Sequence, residues 1–126
     1  GATMPATILD NVSSDMRAYN EESFGPVISV IRVKSDEQAL FVANDTEYGL
    51  SASVFSRDFP RAMKIAKHIQ SGICHINSDT VNGEAQAPYG GTKATGYGRF
   101  DGRAVIDEFT ELRWVTVAPN HVHYPF

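Results

Sequence analysis

From Val27 to Ile76, apolar runs rich in β-branched residues alternate with stretches of helical spacing, and this order most narrows what the chain can fold into. Val27, Ile28, Val30, Ile31 and Val33 are apolar almost throughout, as expected of a strand covered on both faces. Ser35 and Gln38 have capping-box spacing, which predicts a helix starting at Asp36, running through Leu40 and Ala43 and ending near Asn44-Asp45. Gly49 closes the following loop. Leu50, Ala52 and Val54 alternate with Ser51 and Ser53 at the period of a strand. Asp58 is the candidate N-cap of a second helix, which tolerates Pro60 in its first turn. That helix carries Phe59, Ala62, Met63, Ala66 and Ile69 on one face and has Gly72 as its expected C-cap. Ile73 to Ile76 reads as the next strand. The order β-α-β-α-β favours an α/β fold with a parallel sheet and right-handed crossovers.

Residues 77–102 break this rhythm. They hold more than half of the ten glycines and little periodic apolar pattern, so they read as a long loop with a functional reason to exist. A shorter helix is expected from Gly102, with Val105, Phe109 and Leu112 on one face. Arg113 to Val117 reads as a last strand and Ala118 to Phe126 as an irregular tail.

Composition excludes several classes. At 126 residues the chain is long enough to bury about two-thirds of its unfolded surface. A net charge of −4 offers no basic footprint for nucleic acid. No apolar run approaches the roughly 20 residues that span a bilayer, and no signal peptide opens the chain. A single cysteine forbids an internal disulfide and fits a reducing compartment, so the expectation is a soluble cytoplasmic domain. Gly1-Ala2-Thr3 is also compatible with a cloning remnant.

One constellation has the chemistry of a nucleotide site. Glu21-Glu22-Ser23-Phe24-Gly25-Pro26-Val27 places two carboxylates, an aromatic and a rigid turn ahead of the first strand. A carboxylate accepts two hydrogen bonds from a ribose diol, and an aromatic held by a turn can lie against a flat ring. The alternative is a pair of loop acids followed by Phe24 as a core anchor.

Other candidates are weaker. Gly90-Gly91-Thr92-Lys93 is no phosphate loop, because Tyr97 stands where lysine is required. Gly96-Tyr97-Gly98 is no dinucleotide fingerprint, since Gly102 comes one residue late. These glycines read as permitting a tightly folded loop. Cys74 and His75, being successive on a strand, point to opposite faces and cannot form a thiolate-imidazole pair; Cys74 reads as an inert small hydrophobe. His121 and His123 lack further ligands for a metal, and His68 suits the end of a helix. Lys93 either steers an anion or caps carbonyl groups.

The string EESFGPV resembles the motif that opens the C-terminal part of aldehyde dehydrogenases. The resemblance continues through Ala43-Asn44-Asp45-Thr46-Glu47-Tyr48-Gly49-Leu50, through the stretch from Ala87 to Arg99, and through Asp107-Glu108-Phe109-Thr110-Glu111-Leu112-Arg113-Trp114-Val115-Thr116-Val117. It implies that residues 1–112 are the C-terminal part of the catalytic domain and that 113–126 form an oligomerisation strand and tail. It also implies NAD or NADP as cofactor, Glu22 on the nicotinamide ribose, Phe24 beside the nicotinamide, and Tyr89 as an aromatic wall of the substrate loop. For Tyr89 the alternative is a half-buried aromatic beneath that loop.

By the same resemblance the catalytic cysteine and general-base glutamate belong to a missing N-terminal portion. No catalytic residue is then assigned here, and the isolated chain is expected to be inactive. The stretches His75 to Asn82 and Arg99 to Arg103 are similar to the branch acting on aromatic aldehydes such as benzaldehyde, vanillin or salicylaldehyde. Many relatives carry Phe at the position of Tyr89 and Glu at that of Phe100. A homo-oligomer through residues 113–117 is expected. Two other classes stay open at this point: a non-catalytic binding module, and an inert structural fragment that keeps the fold.

Overall fold

The computed structural model describes residues 2–120 and His123. Strand β1 (Thr7–Leu9), not anticipated from the pattern, lies parallel to β2 (Val27–Ser29), with Thr7 opposite Val27 and Leu9 opposite Ser29. Strand β2 is shorter than the expected 27–33 run because its partner turns away. Asn11 adopts a φ of 57°, in the left-handed region that asparagine tolerates. The chain then returns far enough for the Val12 N–H to donate to the Val30 carbonyl at 3.0 Å. Between the two strands sits α1 (Arg17–Asn20), a single turn that buries no side chain.

Helix α2 (Asp36–Asn44) starts where its cap predicts. Ser35 Oγ accepts from the Gln38 N–H at 3.2 Å, while Gln38 Oε1 accepts from the Lys34 N–H at 2.8 Å. The reciprocal half of the capping box thus reaches one residue further back than the ideal motif. Two short strands follow, β3 (Tyr48–Gly49) and β4 (Ser51–Val54). Helix α3 (Phe59–Ala66) is capped by the Asp58 carboxylate, which accepts from the Arg61 N–H at 3.0 Å.

The end of α3 differs from expectation. Its last carbonyls are taken by Lys67, His68 and Ile69, and the helix closes at Ala66. Gly72 is therefore not its C-cap. Gly72 is instead a point of close backbone approach, where a Cβ would run into the Gly90 carbonyl.

Strand β5 (Ile73–Ile76) pairs with β4 in parallel register, Ser51 opposite Ile73 and Val54 opposite Ile76, which completes the anticipated β-α-β unit around α3. Strand β6 (Thr92–Lys93) pairs antiparallel with β3. The described residues thus form three two-stranded sheets, β1-β2, β3-β6 and β4-β5. The expected single β-α-β-α-β sheet is corrected accordingly: β2 hydrogen-bonds to β1 and not to β4. Helix α4 (Ala104–Phe109) follows Gly102 as expected but stops short of Leu112, whose side chain is fully exposed.

Residues 113–117 form no strand in this chain, and Trp114 is 91% exposed. A strand exists only where a partner takes its backbone hydrogen bonds, and none of the described residues does so here.

Burial is sparse. Val12 and Ala62 are the buried apolar side chains among the described residues. The accessible surface is 10646 Å², against roughly 6,600 Å² for a compact monomer of 13.8 kDa. The chain therefore hides only about half of its unfolded surface, not the two-thirds expected from its length.

Candidate functional site

The segment from Arg17 to Val27 builds a cleft of about 240 Å³ bordered by Arg17, Glu21, Glu22 and Ser23, with Leu9 and Val27 beside them. Helix α1 leads into it. Its last turn closes when the Glu21 N–H donates to the Arg17 carbonyl at 2.8 Å. The Arg17 guanidinium then holds both oxygens of the Glu21 carboxylate, Nε to Oε1 at 2.7 Å and Nη2 to Oε2 at 2.8 Å. This two-point contact keeps the Glu21 carboxyl below the usual carboxylate range.

Glu22 is exposed and accepts no hydrogen bond from a described residue. Its charge is felt at Tyr48: the phenol there is raised chiefly by Glu47, then by loss of solvent, with Glu22 adding to both. After Glu22 the chain turns at Gly25 and Pro26. The Val27 N–H donates to the Gly25 carbonyl and the Thr7 N–H to the Pro26 carbonyl, both at 2.8 Å, so the turn is tied to β1. Phe24 stands out of this turn at 94% exposure and is not the core anchor that composition allowed.

Tyr89 belongs to a separate cleft of about 130 Å³. Ile73 and His75 of β5 line it from the sheet, with Asn82, Pro88 and Tyr89 of the glycine-rich loop opposite. The Tyr89 backbone exchanges two hydrogen bonds with Phe100, at 2.8 and 2.7 Å. Its ring, 42% exposed, borders the opening. The two clefts share no lining residue: Glu22 borders the first and Tyr89 the second, while Phe24, two residues after Glu22, lines neither.

The loop is held by contacts within the protein. Arg99 Nη1 donates to the carbonyls of Gly91 at 2.8 Å and Gly98 at 2.7 Å. Gly98 has a φ of 83°, and a Cβ there would strike the Glu108 carboxylate. Lys93 caps carbonyls: its Nζ donates to Asn44 O at 2.8 Å and Thr46 O at 3.0 Å, where the last carbonyls of α2 need donors. Gly90, Gly91, Gly98 and Gly102 thus serve close packing, whereas Gly83 and Gly96 have open space beside them.

Sequence reasoning missed the polar face of the β4-β5 sheet. In parallel register Ser51 lies opposite Ile73 and Ser53 opposite His75, so all four share one face. Ser53 donates to the Ser78 carbonyl, whereas Ser51 Oγ and His75 Nε2 are buried without partners among the described residues. The strict Ser-Ala-Ser-Val alternation was the available signal. Cys74 points the other way, and burial raises its thiol above the ordinary range, as suits an unreactive side chain.

His68 Nδ1 lies 2.8 Å from the Lys64 carbonyl. Of the two tail histidines, His121 lies outside the described residues. Among the described residues no three His, Cys, Asp or Glu side chains gather as a metal site, and no helix is long and apolar enough to cross a membrane.

Comparison with known proteins places this geometry in a family. The profile described as the aldehyde dehydrogenase family matches residues 1–115. The chain is 62% identical over 126 residues to a salicylaldehyde dehydrogenase of Pseudomonas putida, covering 100% of this chain and 26% of that protein. It is 54% identical over 125 residues to a vanillin dehydrogenase of Pseudomonas fluorescens, covering 99% and 26%. The crystal structure of a salicylaldehyde dehydrogenase from Pseudomonas putida G7, complexed with salicylaldehyde, superposes with a TM-score of 0.94 at 63% identity, over 100% of this chain and 26% of that one. A betaine aldehyde dehydrogenase from Staphylococcus aureus, solved in complex with NAD+, superposes with a TM-score of 0.77 at 38% identity, over 81% and 20%.

The chain belongs to the aldehyde dehydrogenase family. It spans about a quarter of the length of the curated relatives it matches.

Proposed function

We propose that this chain is the C-terminal part of an NAD(P)-dependent aldehyde dehydrogenase that oxidises an aromatic aldehyde to its carboxylic acid. The observation that carries the reading is the Glu22 carboxylate, unpaired among the described residues, on a tied turn beside the exposed Phe24, within a chain that matches the family over residues 1–115. A free carboxylate fits a vicinal diol, since it can accept from both hydroxyls at once. An exposed aromatic two residues on fits the face of a flat heterocycle.

In this reading Glu22 holds the nicotinamide ribose and Phe24 limits the movement of the ring. The chemistry the cofactor supplies when bound is hydride acceptance. Tyr89 bounds the aldehyde's ring from the glycine-rich loop. The names of the relatives, for salicylaldehyde and vanillin, support an aromatic substrate. The thiolate and the general base come from the preceding part of the polypeptide, so the isolated 126 residues should be inactive.

The test is Glu22→Ala in the full-length enzyme. A hydrogen bond to a charged group is worth about 1.5–3 kcal/mol, so hydride transfer or cofactor affinity should fall roughly ten-fold or more. Steady-state kinetics with saturating aldehyde read this directly. Unchanged kcat and cofactor KM would return Glu22 to an ordinary loop carboxylate.

A further inference from the structure

Among the described residues no side chain or backbone group hydrogen-bonds to Glu22, yet a carboxylate that holds a ribose must be aimed. Helix α1 is held in place from a distance, by Tyr19 Oη donating to the Asp45 carboxylate at 2.7 Å and Ser29 Oγ donating to the Ala18 carbonyl at 3.0 Å, but the contact next to Glu22 itself is local. Arg17 grips the neighbouring Glu21 at three points: the carbonyl of Arg17 accepts the Glu21 N–H, and the guanidinium holds both carboxylate oxygens. Both residues border the same cleft as Glu22.

We propose that Arg17 is a positioning residue for Glu22: by clamping Glu21 it fixes the Glu21–Glu22 peptide and points the Glu22 carboxylate into the cleft. The inference rests on the ribose role given to Glu22. A planar fork against a carboxylate sets direction as well as distance, which an ammonium on a flexible stem does not. The clamp also satisfies the Glu21 charge locally and leaves Glu22 as the acid free to accept from a diol. The Arg17 and Glu21 side chains are 87% and 56% exposed, and exposed pairs add little to stability. Any effect should therefore appear in cofactor handling and not in unfolding.

The experiment uses the full-length enzyme as wild type, Arg17→Gln, Arg17→Lys, Glu22→Ala and the Arg17→Gln/Glu22→Ala pair. Both Arg17 variants should raise the KM for the oxidised nicotinamide cofactor about three- to five-fold, the range open to an exposed ion pair. The aldehyde KM and the melting temperature should not move, and Arg17→Gln should add nothing in the Glu22→Ala background.

Full recovery in Arg17→Lys would reduce the pair to simple charge and overturn the proposal. So would a joint loss of melting temperature and kcat. Wild-type kinetics in both Arg17 variants beside an impaired Glu22→Ala would sink the role of Arg17 and leave that of Glu22 standing. A Glu22→Ala enzyme indistinguishable from wild type would remove the premise itself.

Discussion

At the scale of single residues, the family motifs divide into side chains left open to solvent or a cleft and side chains that hold backbone together. Glu22 and Phe24 are exposed and Tyr89 borders a cleft, whereas Asn44 and Lys93 hydrogen-bond to backbone within the protein. Asn44 Nδ2 donates to the His68 carbonyl at 3.0 Å, and its Oδ1 accepts from the Gln70 N–H at 2.8 Å, so one amide joins the end of α2 to the entry of β5. Gly72 is a sharper case. A Cβ there meets backbone on the glycine-rich loop, and backbone cannot swing aside as a long side chain can. Gly72→Ala in the full-length protein should destabilise it by about 1–3 kcal/mol, the usual range for overpacking. Thermal unfolding measures it, and an unchanged melting temperature would show that the loop is not seated on β5.

At the scale of elements, the caps behave as local sequence rules require. Ser35 and Asp58 each satisfy a backbone donor three residues on, and both helices begin at the following residue. The two helices are then joined by Arg61, whose guanidinium contacts Asp36 at 2.7 and 2.5 Å. Replacing Ser35 by alanine should cost about 0.5–2 kcal/mol, because one orphan N–H loses its acceptor. The denaturant midpoint of the full-length protein reports this, and no shift would mean that solvent replaces the cap without loss. The strands follow a different rule. Strand β2 ends where Asn11 turns its partner away, and residues 113–117 are not a strand at all in this chain, despite Trp114-Val115-Thr116-Val117 having high β propensity.

At the scale of the whole molecule, the surface is that of an open structure. Ile8, Ile28, Phe41, Phe55 and Phe109 are all exposed beyond half, in addition to Trp114 and Leu112. Apolar area on this scale marks contact with further polypeptide. By the reading proposed above, that partner is the remainder of the enzyme together with a second copy paired through residues 113–117. Light scattering on the full-length protein with and without residues 113–126 should show an oligomer lost on truncation. Equal masses for the two would place the interface elsewhere. The isolated 126 residues should form no NADH from an aldehyde, since both covalent and general-base catalysis are missing. Turnover abolished by changing Cys74 would contradict this.

The sequence by itself determined what depends on neighbours within a few residues. The Ser35 and Asp58 caps are local matters, in which side-chain spacing and the need to satisfy nearby backbone groups decide the outcome, and spacing also put β4, α3 and β5 in their order along the chain. The motif strings also carried the family, because their order along the chain is preserved whatever surrounds them. What only the tertiary structure decided depends on partners far apart. The pairing of β2 with β1 instead of β4 and the seating of Gly72 against Gly90 each require backbone separated by 15 or more residues to meet. The clamp of Arg17 on Glu21 is local in sequence and was still missed, because α1 has no apolar periodicity to announce it. The Lys93 contact with the end of α2 spans 47 to 49 residues. Local spacing holds no information about such contacts, since it is the packing of the whole chain that selects one distant acceptor among many.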